Sequence, residues 1–508
     1  MSFPLTVLPE ELITTVVSHV SDRGALCNLA LASRQLHRLA TPHLYNDIAV
    51  YLGKEPRDHE ALRSLVTGLL ERPDYAACVQ HLEIRGHWIN ILEPDEQIDK
   101  IFFRILKEKI KALKTHVWIN ENIWADAITG LEREEALVVI LLLISPNLRT
   151  LNTIAPPRSG KYWLWLMKRI SNQSPGALLK LRELALLSAE SDRESCFPFL
   201  QLPNLKSVLF YGFYSSREGW NIYDDDGVAY LADAASAISA YCAGSAQSTV
   251  GSVEHLEIFH AGPLFPTVLQ MIGSCATLRT FAFDHSDWMV PENPSLYNAV
   301  VLALSIHADS LTALHIGDKY NGHRTHGKPL DFRGLYNLRL LKIPISGFLG
   351  FSDYTDESQS LSDDRMRERF PISLQELVLL CDRSEEPHVL PTLQHYIHAW
   401  PHIIPNMESL EIHCHAPEAM YAWLRQPTER RHIQLRIFRK LNVSGKYRFV
   451  APFVSSIKDQ QQDISSVEIE VEDLTNPLDD LMPVEEFIPA EESLVTSFEE
   501  DLAQLSIL

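Results

Sequence analysis

The chain has 508 residues, which at roughly 100–200 residues per domain excludes a single small fold and leaves two to four ordinary domains or one long repetitive one. Hydrophobic residues make up 46% and charged residues 22%, proportions that exclude wholesale disorder. The formal charge of −21 is unevenly spread: residues 459–508 hold 15 Asp/Glu and no Lys or Arg, so the rest of the chain sets 51 acidic against 45 basic groups, a net of −6. Seven scattered cysteines without a CxxC pair suit free thiols in a reducing compartment. The N-terminus lacks the basic, then apolar, pattern of a secretory signal, so a place inside the cell is expected. The longest apolar run, Ala136 to Ile144, is far short of the about 20 residues of a membrane span and predicts a buried helix instead.

Three short helices are predicted at the start. Pro9 suits a first helical turn, and Glu10 and Glu11 favour the positive helix end. Leu12, Val16 and Val20 then line one face at spacing four. Ser21-Asp22 marks a cap and turn, Leu26, Leu29 and Leu36 continue an apolar stripe, and Ser33 is placed to cap a further helix. A unit of about forty residues buries little apolar surface by itself, so it should lean on a partner or on the rest of the chain.

The series Leu8-Pro9-x-Glu11-Leu12, then Leu26-x-x-Leu29-x-Leu31-Ala32-Ser33-Arg34-x-Leu36-x-x-Leu39-Ala40-x-Pro42-x-Leu44-Tyr45, closely resembles an F-box over residues 3–48. The resemblance implies docking on a Skp-type adaptor, and through it membership of a cullin–RING ubiquitin ligase in the cytoplasm or nucleus. By position it assigns adaptor contacts to Leu8, Pro9, Leu12, Leu29, Ser33 and Leu36. Two positions depart from the pattern: Leu36 stands where many F-boxes have Trp, and Ala32 where Val or Cys is frequent. The same apolar faces would also serve a helical cap sealing the next structural layer.

From residue 79 onward an L-x-x-L-x-L pattern recurs about ten times, clearest at Val79–Ile84, Leu181–Leu186, Val253–Ile258, Leu311–Ile316, Leu338–Ile343, Leu374–Leu379 and Met407–Ile412. Its second anchors fall at 82, 151, 184, 208, 256, 281, 314, 341, 377 and 410. Two wide gaps, 82 to 151 and 208 to 256, suggest hidden degenerate copies, with Thr115 to Asn122 as one candidate. Helical spacing in Glu134–Ile144 and Val228–Tyr241 places helices between strands. The pattern resembles irregular leucine-rich repeats of fungal type. The expected fold class is therefore α/β: a three-helix F-box, then a leucine-rich-repeat-like solenoid of alternating parallel strands and helices over 49–457, then an acidic tail over 458–508. Polar insertions at Ser215–Asp226, Asp318–Lys328 and Gly350–Arg367 are expected as rim loops.

In such a strand the residues between inward leucines face outward, and these are the candidates for holding a protein substrate. They are His81, Glu83, Arg85, Tyr211, His255, Glu257, Phe259, His315, Lys342, Glu376, Glu411 and His413, with Phe259 and Tyr211 as the expected aromatic anchors. Glu411, His413 and His415 share a face and could approach a metal, but the repeat phase explains their placement, and no metal or other cofactor is expected. Tyr223–Gly227 fails as a calcium loop because Ile222 occupies the first ligand position. No nucleophile, phosphate-loop or metalloprotease motif is present, so no enzyme is expected. Arg425–Arg448 holds eight Lys/Arg against Glu429 alone, yet the acidity of the whole chain does not favour nucleic acid. The acidic tail is expected to be largely disordered and to end in a short amphipathic helix through Leu494, Phe498, Leu502 and Leu505, folding back on Arg430–Arg448, with a free solubilising tail as the alternative. The expected function is a substrate-recruiting ligase subunit, with a non-ligase repeat scaffold as the alternative.

Overall fold

The computed structural model describes residues 8–53, 56–86, 88, 108, 133–156, 160–171, 178–187, 197–212, 251–261, 265–285, 294–318, 330–345, 348, 369–381, 403–414 and 433–439. The chain divides into two units, Met1–Arg448 and Phe449–Leu508, and all of these residues belong to the first. The helix at Val228–Tyr241, the polar insertions beyond Asp318, and the expected arrangement of the tail lie outside the described residues.

Among the described residues twelve strands form one sheet: β1 (Asp47–Leu52), β2 (His81–Gly86), β3 (Thr150–Ile154), β4 (Glu183–Leu187), β5 (Ser207–Tyr211), β6 (His255–Ala261), β7 (Thr280–His285), β8 (Ala313–Asp318), β9 (Leu340–Pro344), β10 (Glu376–Leu380), β11 (Ser409–Cys414) and β12 (Gln434–Arg439). Their spatial order is their chain order, and every neighbouring pair is parallel. The ten second anchors read from the sequence fall into one register row, from Leu82 opposite Leu151 to Leu377 opposite Leu410. Ile48 and Leu435 extend that row at either end.

Two expectations are corrected here. In the sheet no strand stands between β2 and β3 or between β5 and β6, because each pair is joined directly; the residues of Thr115 to Asn122 lie outside those described. The sheet also begins and ends with strands that the L-x-x-L-x-L search passes over. Each has the alternating part of the pattern (Ile48, Val50 and Leu52; Leu435 and Ile437) without its leading leucine.

Inward side chains alternate along each strand and join one continuous core that runs from Ile48 to Ile412. Helices α4 (Pro56–Glu71), α5 (Pro73–Ala76), α6 (Arg133–Ile144), α7 (Lys161–Ser171), α8 (Phe197–Leu200), α9 (Phe265–Gly273) and α10 (Pro294–Leu304) occupy connections between strands. The apolar run is the buried helix α6, whose residues Ala136 to Leu142 are all buried, and among the described residues no helix is long and apolar enough to cross a membrane. Glu135 on α6 accepts a hydrogen bond from the Trp163 N–H near the start of α7, at 2.6 Å, satisfying a helix-end donor inside the core.

A second ladder stitches the turns that precede the strands. Asn147 donates to Ala77 O (2.6 Å), Asn204 to Leu179 O (2.7 Å), Asn337 to Asp309 O (2.9 Å) and Asn406 to Ile372 O (2.9 Å). Ser310 and Ser373 make the equivalent bonds to Leu278 O and Leu338 O. Each turn thus satisfies a carbonyl of an earlier connection, holding the stacking distance where no sheet bond reaches.

Two glycines test this packing with opposite signs. A Cβ at Gly251 would lie 1.6 Å from the Leu200 carbonyl oxygen, whereas one at Gly68, on an exposed stretch of α4, meets nothing within 4 Å. Gly251→Ala should therefore cost about 1–3 kcal/mol, and Gly68→Ala should stabilise by about 0.5–1 kcal/mol. Urea midpoints of the two variants, moving in opposite directions from the parent chain, are the check.

Candidate protein-binding surfaces

The first surface is the N-terminal helical unit: α1 (Glu10–Ser18), α2 (Arg23–Ala32) and α3 (Arg34–Asn46). Capping follows the sequence signals. Asp22 accepts from Ala25 N at 2.7 Å, Ser33 accepts from Leu36 N at 3.1 Å, and Pro9 occupies the position just before α1. Ile13, Val17, Leu26, Leu36 and Ala40 make a small core of their own, flanked by the partly buried Leu8 and Leu29.

Of the expected apolar stripe, Leu26 and Leu36 turn inward and Val20 and Leu29 pack against them, but Leu12 and Val16 do not. Ile13 and Val17 face its core, while Leu12 and Val16 are 52% and 47% exposed and Leu31 on α2 is 84% exposed. Of the six positions assigned to adaptor contact, Pro9 and Leu12 are exposed and Leu8 and Leu29 partly so; Ser33 is occupied as a helix cap, and Leu36 is buried as a core residue.

No linker separates this unit from the sheet, since α3 ends at Asn46 and β1 starts at Asp47. Tyr45 stacks on Tyr75 with ring centroids 4.7 Å apart, and the Tyr75 hydroxyl and His37 Nε2 share a hydrogen bond of 3.1 Å. The Arg72 guanidinium lies 4.0 Å from the Tyr75 ring centre and is anchored by Asp74. Arg23 donates to the carbonyls of Leu44 and Asp47, tying α2 across the junction.

The second surface is the outward face of the sheet. Its middle row across β6 to β12 carries Glu257, Ala282, His315, Lys342, Val378, Glu411 and Arg436 in register. The next outward row carries Tyr211, Phe259, Asp284 and Gly317 on β5 to β8, and Pro344, Leu380 and His413 on β9 to β11. The sequence pattern predicts solvent exposure for this face, but the centre is enclosed: Glu257 is 3% exposed and Asp284 8%. Gly317 makes the enclosure possible, because a Cβ there would sit 3.1 Å from His315 Nε2 and 3.3 Å from Asp284 Cγ.

Polar groups on the face are largely engaged with one another. His255 shares a 2.8 Å hydrogen bond with Thr280, and His81 repeats that arrangement with Thr150 at 2.7 Å. Glu83 receives both Arg85 and Asn152, and Glu411 receives the His413 imidazole. Phe259 lies 6.2 Å from the His315 ring, so the two candidates are neighbours across β6–β8. Burial holds the His315 pKa well below the usual histidine range, helped by the positive charge of Lys342 and by His413. Burial raises the Glu376 carboxyl above its usual value, with Glu408 and Glu411 adding to the shift and Arg436 opposing it.

The face therefore gathers His255, Glu257, Phe259, His315 and Lys342 over β6–β9 and Glu411 with His413 on β11, and sets Tyr211 beside Phe259. Sequence reasoning misses Asp284, Thr280 and Arg436. A signal exists for each, because all three fill outward positions of a strand. No protein-family model matches the chain, and no curated protein matches it.

The state of His315 has a measurable consequence. With its folded pKa depressed, the folded chain binds fewer protons than the unfolded chain below about pH 6.5, the unfolded histidine value. Stability should fall as pH drops through that value, by at most about 1.4 kcal/mol per pH unit for one such group. His315→Gln should flatten part of this slope in urea midpoints measured between about pH 7 and 5. An unchanged slope would mean that the imidazole titrates as freely as in the unfolded chain.

Proposed function

We propose that the chain is the substrate-recruiting F-box subunit of a cullin–RING ubiquitin ligase. It performs no bond chemistry; it holds a protein substrate at the outer sheet face and docks through its N-terminal helices on a Skp-type adaptor. The observation that carries the reading is the outward apolar surface of the helical unit, with Leu12 and Val16 exposed on α1 after Leu8 and Pro9, and Leu31 exposed on α2. Exposed large apolar side chains gathered on a unit with its own small core suit a partner surface better than solvent.

The direct join between α3 and β1 supports the same reading, since a recruiting subunit works by fixing the distance between adaptor and substrate. The alternative, a repeat scaffold whose helices only cap the first strand, needs α3 but gives no use to the outward side chains of α1.

Co-purification with a recombinant Skp-type adaptor tests the proposal. The parent chain should form a stoichiometric complex, and Leu8→Ala combined with Pro9→Ala should weaken it by about a hundredfold, the scale of truncating central interface residues. Leu12→Asp should do the same without disturbing Ile13 and Val17. Failure of the parent chain to bind, or undiminished binding by both variants, would leave the cap reading in place.

A further inference from the structure

The residue that follows the first leucine of each repeat forms a row of its own. Arg149, Arg182, Lys206, Glu254, Arg279, Thr312 and Arg339 are linked in that order along β3 to β9 by main-chain hydrogen bonds of 2.7 to 2.9 Å. All five cations are exposed. The single carboxylate, Glu254, is shared by Lys206 at 2.6 Å and Arg279 at 3.2 Å, and these contacts pull its pKa below the usual carboxylate range. Among the described residues no carboxylate lies within ion-pair distance of Arg149, Arg182 or Arg339.

On β3–β5 this basic row runs beside a second chemical feature. Strand spacing of about 4.8 Å puts Arg149, Arg182 and Lys206 on one line about 10 Å long. The strands start one residue after this line, and their last row, about 16 Å farther along, carries Ile154, Leu187 and Tyr211. Between them lie Thr150, Glu183 and Ser207, then Asn152, Ala185 and Leu209. Glu183 is the one carboxylate in the block.

We infer that β3–β5 form the docking site for an extended, acidic protein segment with an apolar end, its carboxylates on Arg149, Arg182 and Lys206 and its apolar side chains on Ile154, Leu187 and Tyr211. The inference rests on the outer sheet face being the substrate surface and adds the class of substrate it takes. Charge complementarity selects the acidic end: arginine forks match carboxylates, and among the described residues two of these three cations have no ion-pair partner to give up. Ile154 and Leu187 select against nucleic acid, whose sugar–phosphate backbone offers no aliphatic side chains there.

A fluorescein-labelled peptide of about eight residues, long enough to span the two lines, is the probe. It carries glutamates at one end and Leu and Phe at the other, and is titrated against the full chain by fluorescence polarisation. The acidic peptide should bind, its Glu→Gln counterpart should bind at least about tenfold more weakly, and added salt should weaken the acidic form. Arg149→Glu with Arg182→Glu should lower affinity by about tenfold or more, and Leu187→Ser should lower it independently of salt.

Equal binding of the Gln peptide, an undiminished charge-reversal variant, or equally effective competition by a single-stranded oligonucleotide of the same charge would overturn the inference. Loss of peptide binding with the adaptor still co-purifying would count against this site alone. Peptide binding by a chain that captures no adaptor would leave the site standing and remove the ligase reading.

Discussion

Parallel pairing in one unbroken register is the constraint on which everything else in this molecule depends. Each strand offers too few inward side chains to make a core alone, so Leu151 is buried only because Leu82 stands on one side and Leu184 on the other. A slip of one residue at any strand would exchange its inward and outward sets, turning an aliphatic pair into solvent and a charged pair into the core. The turn ladder of Asn147, Asn204, Asn337 and Asn406 guards against such slips from the far side, because each side chain reaches one particular carbonyl of an earlier connection. The irregular spacing of the repeats has the same origin. Any length of chain can join two strands provided that the strands still meet in register, as β2 and β3 do.

The same register turns the outer face into a readable array, because residues on successive strands stand side by side at the strand spacing. Its two halves differ in character. Over β3–β5 the middle and far rows are mostly aliphatic, while over β6–β12 the middle row alternates Glu257, His315, Lys342, Glu411 and Arg436 with small or apolar residues. Burial of Glu257 and Asp284 in that second half is costly for carboxylates unless neighbours compensate.

How much is legible in the sequence follows from which forces are local. Period-two alternation belongs to a single strand, so the inward rows and all ten anchors can be read from the order of residues alone. Whether an outward residue is exposed depends on side chains from neighbouring strands, and no local pattern reports that; hence the alternation puts Glu257 on the right face with the wrong exposure. In α1 the difficulty is of another kind. Leu12 and Val16 form one apolar stripe and Ile13 and Val17 form the adjacent one, and helical spacing alone cannot say which of two neighbouring stripes turns inward. The basic row is equally visible, as Leu148-Arg149, Leu181-Arg182, Leu205-Lys206, Leu278-Arg279 and Leu338-Arg339, but the positions just before a strand carry no alternation that draws attention to them.

Charge economy separates the parts of the face that hold the fold together from the part best suited to recognition. On β6 and β7, His255 is committed to Thr280, and on β11 Glu411 is committed to His413; a partner seeking these groups would first have to break an existing bond and desolvate both members. Among the described residues Arg149 and Arg182 carry no such commitment, and their guanidinium groups lose no ion pair when a carboxylate arrives. Net gain on binding is therefore larger at the start of β3–β5 than at the centre of β6–β9, even though the latter holds more of the residue types usually associated with function. The rigid seam of Tyr45, Tyr75 and Arg72 lies at the same end of the sheet, two strands before β3. A ligand held there would lie close, along the stack, to the N-terminal helices that expose Leu12, Val16 and Leu31.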